Sequence, residues 1–148
     1  MTRSAFRTVA GRVRCAAELL LGACAAAGPR PIAYDRDVCA FCSMTVSDPR
    51  YGAELITVKG KVLTFDSIEC LASYHLANRA ATRSLWVTQD GRLVPAERAR
   101  FRRAAPDAEA NSPMGLGLSA AADGTIGWSD VLAMVEREGL PSPGARTP

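Results

Sequence analysis

The fold is decided by a stretch in the middle of the chain, AELITVKGKVLTF, which spans residues 53–65. Both ends of the stretch are apolar and partly β-branched, and Lys59-Gly60-Lys61 between them has the composition of a short turn. Two β-forming runs that flank a short turn predict a β-hairpin. We expect the rest of the domain to be built around this hairpin.

A helix is predicted directly after the hairpin. Asp66 and Ser67 are both suitable capping residues, and Glu69 stands three residues after Asp66, as in a capping box. The side chains of one helical face then recur at the expected spacing up to Arg79: Ile68, Leu71, Ala72, His75 and Leu76. A further strand is predicted at residues 85–88, so the first unit is ββαβ.

The second half of the chain repeats this order in a weaker form. Residues 92–94 predict the start of a strand, the glycine-rich residues 114–119 a strand close to another backbone, and residues 126–128 a short strand. Ser129 is expected to cap a last helix over residues 130–138, which Gly139 ends. The predicted fold class is α+β, with a ββαβ unit followed by a shortened second ββα(β) unit.

The first 24 residues differ in composition from the rest. They hold four arginines and one glutamate, which account for the whole net charge of +3. An arginine-rich start, a short apolar run and small residues before Cys24 are typical of a secretory signal. Residues 21–24, Leu-Gly-Ala-Cys, also resemble a bacterial lipobox, in which the cysteine is lipidated. A mis-assigned start or a short amphipathic helix is the alternative.

The sequence thus predicts four segments. Residues 1–24 are a leader, 25–33 a flexible tether containing Gly28, Pro29 and Pro31, 34–138 the folded domain and 139–148 a disordered tail. A lipidated Cys24 would anchor the protein to a membrane outside the cytoplasm, in the periplasm or at the cell surface. The chain after the leader has equal numbers of basic and acidic residues, which excludes nucleic acid as an expected partner.

Sulfur is concentrated in one segment, Cys39-Ala40-Phe41-Cys42-Ser43-Met44. Soft thiolate and thioether ligands select soft metals, above all Cu(I). A zinc site, a redox dithiol and a structural disulfide are the alternatives for a C-x-x-C pair. Zinc needs a second pair of ligands, and Cys70 and His75 are expected to point in different directions from the helix.

Backbone geometry indicates which of the three sulfurs are the better candidates for metal ligands. In an extended segment, residues i and i+2 point to the same side, which favours Cys42 and Met44 as a pair of ligands. Cys39 joins them on the condition that the backbone turns between Cys39 and Cys42. Cys70 is expected to be a small buried apolar residue, with approach to the cluster as a secondary role.

The combined motifs resemble the NosL family of nitrous oxide reductase accessory proteins. The resemblance covers roughly residues 35–135. It starts with the C-x-x-C-x-M segment after Asp37 and continues through Gly60-Lys61, Phe65-Asp66, Cys70-Leu71, Leu85-Trp86-Val87 and Pro113-Met114-Gly115. Ser43 and Ser67 depart from the family pattern, which usually has glycine and a second aspartate at these positions.

The resemblance implies a lipoprotein that binds Cu(I) and is not an enzyme. It implies a fold of paired ββαβ units, also seen in the accessory domain of organomercurial lyase. Cys42 and Met44 match the family's copper ligands, with Cys39 as an addition, and Met114 matches a family methionine. The implied partner is a client copper enzyme, nitrous oxide reductase or a related one, or its assembly machinery. An extracytoplasmic thiol-disulfide oxidoreductase and a disulfide-bonded surface module remain the alternatives.

Overall fold

The computed structural model of the protein describes residues 28–104 and 112–140. Four strands, β1 (Ala53–Thr57), β2 (Val62–Phe65), β3 (Thr82–Gln89) and β4 (Arg92–Pro95), form an antiparallel sheet. Their order across the sheet is β2-β1-β3-β4. β1 and β2 pair with Ala53 opposite Phe65 and Ile56 opposite Val62, so the predicted hairpin is confirmed.

One face of the sheet is covered by helix α1 (Ile68–Ala77). Leu55 lies opposite Leu63 and Leu85 on the neighbouring strands, and alternate strand positions share a face. Ile68 and Leu71 of α1 are completely buried in the same apolar cluster. Burial of one such side chain stabilises the fold by about 1.5–3 kcal/mol. A short 3₁₀ helix, Arg79–Ala81, then connects α1 to β3.

The start of α1 differs from the predicted capping box. Ser67 is the N-cap, and its Oγ accepts a hydrogen bond from the Cys70 N–H at 3.1 Å. The prediction that Asp66 caps the helix is wrong, because the extended residue before the first turn is Ser67, with φ −148°. Glu69 does not complete a capping box. Its carboxylate is buried and accepts hydrogen bonds from the Ser112 hydroxyl and the Leu118 N–H, which belong to the second half.

The second unit is ββα, but its first strand is not the predicted one, because residues 92–94 belong to β4 of the first sheet and the second unit starts at Phe101. It consists of β5 (Phe101–Arg103), β6 (Leu118–Ala120) and α2 (Trp128–Glu138). β5 pairs with β6, and α2 packs against α1. Arg103 joins β5 to the end of α2 through two 2.7 Å hydrogen bonds to Glu138. The fold class is therefore α+β.

Two boundaries in the second unit were predicted wrongly. Gly127, not Ser129, is the N-cap of α2, and its N–H donates to the Asp130 carboxylate at 3.0 Å. Ile126 makes a single bridge to Phe101, and Trp128 already belongs to the helix. The Trp128 ring instead packs on Phe101, with centroids 5.9 Å apart. An aromatic residue such as Trp128 favours a strand by its type. Its burial against β5 instead places it in the first turn of α2.

The segment before the sulfur-rich loop packs on the domain. Residues 30–33, which the sequence assigns to the tether, make specific contacts: the Arg30 N–H donates to Glu54 at 3.1 Å, and Ile32 lies in the core. The Arg30 guanidinium also pairs with Asp37 at 2.9 Å. The predicted leader and residues 141–148 of the predicted tail lie outside the described residues. Within residues 28–104 and 112–140, no helix is long and apolar enough to cross a membrane.

Candidate metal site

The sulfur-rich segment forms a closed loop rather than an extended strand. Val38 and Thr45 are paired across its base, and the Cys39 N–H donates to the Met44 carbonyl at 2.8 Å. Inside the loop the Ser43 N–H donates to the Cys39 carbonyl at 3.0 Å. The backbone therefore turns between Cys39 and Cys42, which is the condition that the sequence sets for Cys39 to join the site.

Two hydrogen bonds hold this loop against the free edge of β2. The Ala40 N–H donates to the Thr64 carbonyl at 2.9 Å, and the Thr64 hydroxyl donates to the Val38 carbonyl at 3.2 Å. β2 ends at Phe65, and α1 begins three residues later. The loop is consequently placed beside the first turn of α1, where Cys70 lies.

The loop and the helix bring three cysteines together. The Sγ atoms of Cys39, Cys42 and Cys70 all lie within 4.8 Å of one another. Cys39 is 1% exposed and Cys70 is fully buried, whereas Cys42 is partly exposed. The sequence assigns Cys70 only a secondary role, yet the structure makes it an equal member of this three-cysteine cluster. All three are free thiols.

Hydrogen bonds favour a negative charge on one of these sulfurs. The pKa of Cys39 is lowered to about 5, first by a hydrogen bond from the Cys70 thiol and then by the backbone N–H groups of Cys42, Asp66 and Phe41, against the opposing effect of burial. Sulfur close to the first turn of a helix also gains from the helix dipole.

The other two thiols hold their protons more tightly. The same hydrogen bond to Cys39 raises the pKa of Cys70, and burial raises it further. Burial is the main reason why the pKa of Cys42 is raised. The negative charge of the cluster is therefore favoured on Cys39 over Cys42 and Cys70. Because a thiolate is the form that binds metal, loading the site with an ion releases the remaining protons.

Met44 is placed differently from the sequence argument. That argument assumes an extended backbone over residues 42–44, but Ser43 has φ 61°, in the left-handed region. The alternation that pairs Cys42 with Met44 does not apply to such a turn. Met44 is 43% exposed at the rim of the loop. It remains a predicted ligand on the basis of the family resemblance.

The φ of Ser43 leads to the first testable prediction. The left-handed region costs a non-glycine residue roughly 1–2 kcal/mol, and glycine is the residue that adopts it without this cost. Ser43→Gly should therefore raise the free energy of unfolding of the reduced, metal-free protein by about 0.5–1 kcal/mol after the entropy of glycine is subtracted. Urea unfolding followed by circular dichroism measures this change. The exposed Ser47→Gly serves as the control, and equal destabilisation by both substitutions would contradict the prediction.

The remaining candidate residues lie in different places. Cys24 is outside the described residues. Met114 is partly buried against the core, in the segment that precedes β6. His75 is not part of the cluster, and its Nδ1 forms a 3.0 Å hydrogen bond with the Thr82 hydroxyl. Asp66 is 1% exposed, and burial followed by the charge of Cys39 raises its pKa. Its carboxylate therefore lies next to the cluster.

The arrangement is suited to holding one soft ion. Three sulfurs from two segments converge on one point, and a single partly exposed sulfur leaves a side for exchange. Neither histidine nor a carboxylate joins the cluster among the described residues. A site made of thiolates alone favours Cu(I) or Zn(II) over hard cations such as Mg²⁺ or Ca²⁺.

Comparison with known proteins supports the fold. A search of solved structures matches the crystal structure of the copper chaperone NosL from Shewanella denitrificans with a TM-score of 0.53 and 20% sequence identity. The match covers 75% of this chain and 87% of that chain. A scan against protein-family models finds no match, and a search of curated proteins finds none. The chain therefore has a NosL-like fold, as the sequence resemblance implies.

Proposed function

We propose that this protein is a Cu(I) carrier that binds the ion in the three-cysteine cluster and does not act as an enzyme. The observation that carries the proposal is the convergence of the Cys39, Cys42 and Cys70 Sγ atoms within 4.8 Å. The likeness in fold to a copper chaperone is a second, weaker support. A carrier needs a site that is selective for its ion and open to exchange, and the partly exposed Cys42 provides the opening.

The number and type of ligands favour Cu(I) over Zn(II). Zn(II) in structural sites is almost always bound by four ligands in a tetrahedron. The described residues supply three sulfurs and no nearby histidine. Cu(I) is a soft ion that is selected by thiolates and thioethers, and three thiolates are a sufficient set for it. We therefore assign the site to Cu(I).

The proposal for the location and the client is based on the sequence. The arginine-rich leader and the lipobox-like residues 21–24 support a lipid anchor on Cys24 and a position outside the cytoplasm. The resemblance to the NosL family supports a client copper enzyme, nitrous oxide reductase or a related one, or its assembly machinery. The carrier would then hold copper close to the membrane surface, accessible to a partner that takes the ion.

Competition with a coloured Cu(I) chelator tests the assignment directly. Reduced, full-length protein should take up a single equivalent of Cu(I), and an excess of Zn(II) should not displace it. Cys39→Ser and Cys42→Ser should each weaken this binding strongly, because each removes a thiolate from the set. Full affinity in either variant, or preferential binding of Zn(II), would refute the proposal.

Met44 can be tested as an additional ligand in the same assay. If the Met44 thioether contacts the ion, Met44→Leu should weaken Cu(I) binding roughly tenfold, less than loss of a cysteine, because a neutral thioether is the weaker donor. Met134→Leu, a substitution of a partly buried methionine in α2, is the matched control. Equal affinities of the two variants would show that Met44 lies at the rim without binding the ion.

A thiol-disulfide oxidoreductase is the second candidate function. The observation in its favour is the pKa of Cys39, which is lowered to about 5. A nucleophilic thiolate must reach the disulfide of a substrate protein, however, and Cys39 is only 1% exposed. Insulin reduction separates the two functions: the carrier should be inactive, and turnover that is lost in Cys39→Ser would favour the oxidoreductase.

A further inference from the structure

The three sulfurs of the cluster are not equally accessible. Cys70 is fully buried and Cys39 is 1% exposed, whereas Cys42 is partly exposed. An ion at the centre of the cluster would thus be covered by Cys39 and Cys70 on its inner side, as the described residues place them. An incoming ligand would meet the ion on the side of Cys42.

The three sulfurs also differ in how firmly their backbone is held. Cys70 lies in the first turn of α1, and its N–H is fixed to the Ser67 hydroxyl at 3.1 Å. The Cys39 N–H is fixed to the Met44 carbonyl at 2.8 Å at the base of the loop. Cys42 stands in the turn between Cys39 and Met44. Its side chain packs only at the edge of the core and is partly exposed, so it can leave the ion with less disturbance than Cys39 or Cys70.

The loop that carries Cys42 has no charged side chain. Residues 38–47, VCAFCSMTVS, contain no charged side chain. Among the described residues, three large apolar side chains are exposed, and two of these, Val38 at 57% and Met44 at 43%, flank the cluster. The third, Val58, lies in the turn of the β1–β2 hairpin. The loop side chains therefore add no charge to that of the sulfurs and the ion, and a charge introduced there would change the local field.

We propose that Cys42 is the ligand exchanged when the ion leaves the protein, and that Cys39 and Cys70 retain the ion until the acceptor has bound it. The proposal rests on the proposed function and adds to it the side of the cluster from which the ion leaves. A sulfur of the acceptor, either a thiolate or a thioether, donates an electron pair to Cu(I) on the open side. The bond from Cu(I) to Cys42 then breaks, and its electron pair stays on the Cys42 thiolate, which binds a proton from solvent. No oxidation state changes in this exchange.

Charged substitutions beside Cys42 test whether the acceptor approaches the ion from this side. Ala40 is exposed, stands between Cys39 and Cys42, and contributes only its backbone to the hydrogen bond with Thr64. Full-length Ala40→Lys and Ala40→Glu, loaded with Cu(I), are mixed with the anionic chelator bathocuproine disulfonate. At low ionic strength, lysine should speed Cu(I) transfer several-fold and glutamate should slow it, and both effects should fade as salt is added.

If the Ala40 substitutions acted through the affinity for Cu(I), they would change the transfer rate in the opposite direction. A lysine near the thiolates stabilises the bound complex and, acting through affinity alone, would slow the release of the ion. Faster release from Ala40→Lys therefore reports the approach of the chelator. Val58→Lys and Val58→Glu place the same charges at the hairpin turn and should leave the rate at the wild-type value. Equal rates for the Ala40 and Val58 variants would overturn the proposal while leaving Cu(I) binding itself intact.

Thiol labelling gives an independent measurement. Reduced, metal-free protein is treated briefly with iodoacetamide, and the labelled cysteines are identified by mass spectrometry. Cys42 should be labelled before Cys39 and Cys70 in spite of the lowered pKa of Cys39, because labelling requires access and Cys42 is the partly exposed sulfur of the three. Earlier labelling of Cys39 or Cys70 would show that the cluster opens on another side and would overturn the assignment of Cys42.

Discussion

Cys70→Ser should lower the affinity for Cu(I) by at least about 100-fold, although the motif that attracts attention lies thirty residues earlier in the chain. Removal of groups that only support metal ligands typically costs 10–100-fold in affinity, and loss of a ligand should cost no less. The proposed function makes Cys70 a ligand because its Sγ lies within 4.8 Å of the other two. Chelator competition at fixed pH with reduced protein measures the loss.

The control for this prediction must separate ligation from packing. Ala72→Ser also buries a hydroxyl on α1, at a position that is completely buried, and leaves all three sulfurs in place. Both variants should remain folded in the metal-free state, with similar losses in the free energy of unfolding. Wild-type affinity in Cys70→Ser would show that Cys70 is a core residue and that Cu(I) is bound by the loop alone.

The second large effect is a change in stability with pH, and it comes from Glu54. This glutamate is completely buried on β1, and burial raises its pKa from 4.5 to about 7. The folded state then binds a proton more tightly than the unfolded state. The stabilisation from protonated Glu54 is complete below pH 4.5 and is lost as the pH rises through 7. The shift corresponds to roughly 3 to 3.5 kcal/mol.

Glu54→Gln removes this titration and should change the pH profile accordingly. The variant should match the wild type at low pH and exceed its free energy of unfolding by roughly 3 to 3.5 kcal/mol above pH 7. The pKa values of other groups are also shifted by folding, some upward and some downward. The lowered pKa of Cys39, for example, favours folding as the pH rises. The difference in the free energy of unfolding between variant and wild type at each pH isolates the contribution of Glu54. Urea unfolding across this range provides the data.

The control for Glu54→Gln is an exposed glutamate. Glu97→Gln removes the same charge from the surface and should leave the difference from wild type constant across the pH range. A flat difference for Glu54→Gln as well would mean that the carboxylate is solvated in the folded state. The contact from the Arg30 N–H would then be too weak to hold residues 30–33 against the domain.

The parts of the fold that depend on neighbours in sequence were predictable. The β1–β2 hairpin follows from two β-forming runs around Lys59-Gly60-Lys61, and α1 from the spacing of Ile68 and Leu71. The choice of Ser67 over Asp66 as N-cap was not predictable, because both residue types are good caps. The decision depends on which backbone is extended, and that is set by the packing of the whole unit.

The composition of the metal site required the tertiary structure. Cys39 and Cys42 are recognisable by their spacing, but nothing local to Cys70 distinguishes a ligand from a buried apolar cysteine. Its role follows from the pairing of the Cys39–Met44 loop with the edge of β2, which places the loop at the first turn of α1. The left-handed backbone of Ser43 was likewise not predicted, and it is the reason why strand alternation fails for Met44.

The three-cysteine cluster also has a mechanical consequence. Its ligands come from a surface loop and from the first turn of a helix, and the whole β1–β2 hairpin lies between them in the chain. A bound ion is therefore a cross-link that closes this stretch and restricts the unfolded chain, as a disulfide would. The loaded carrier should be the more rigid form, and delivery should return freedom to the loop around Cys42. A partner that prefers one of these two states would thereby distinguish a full carrier from an empty one without contacting the metal.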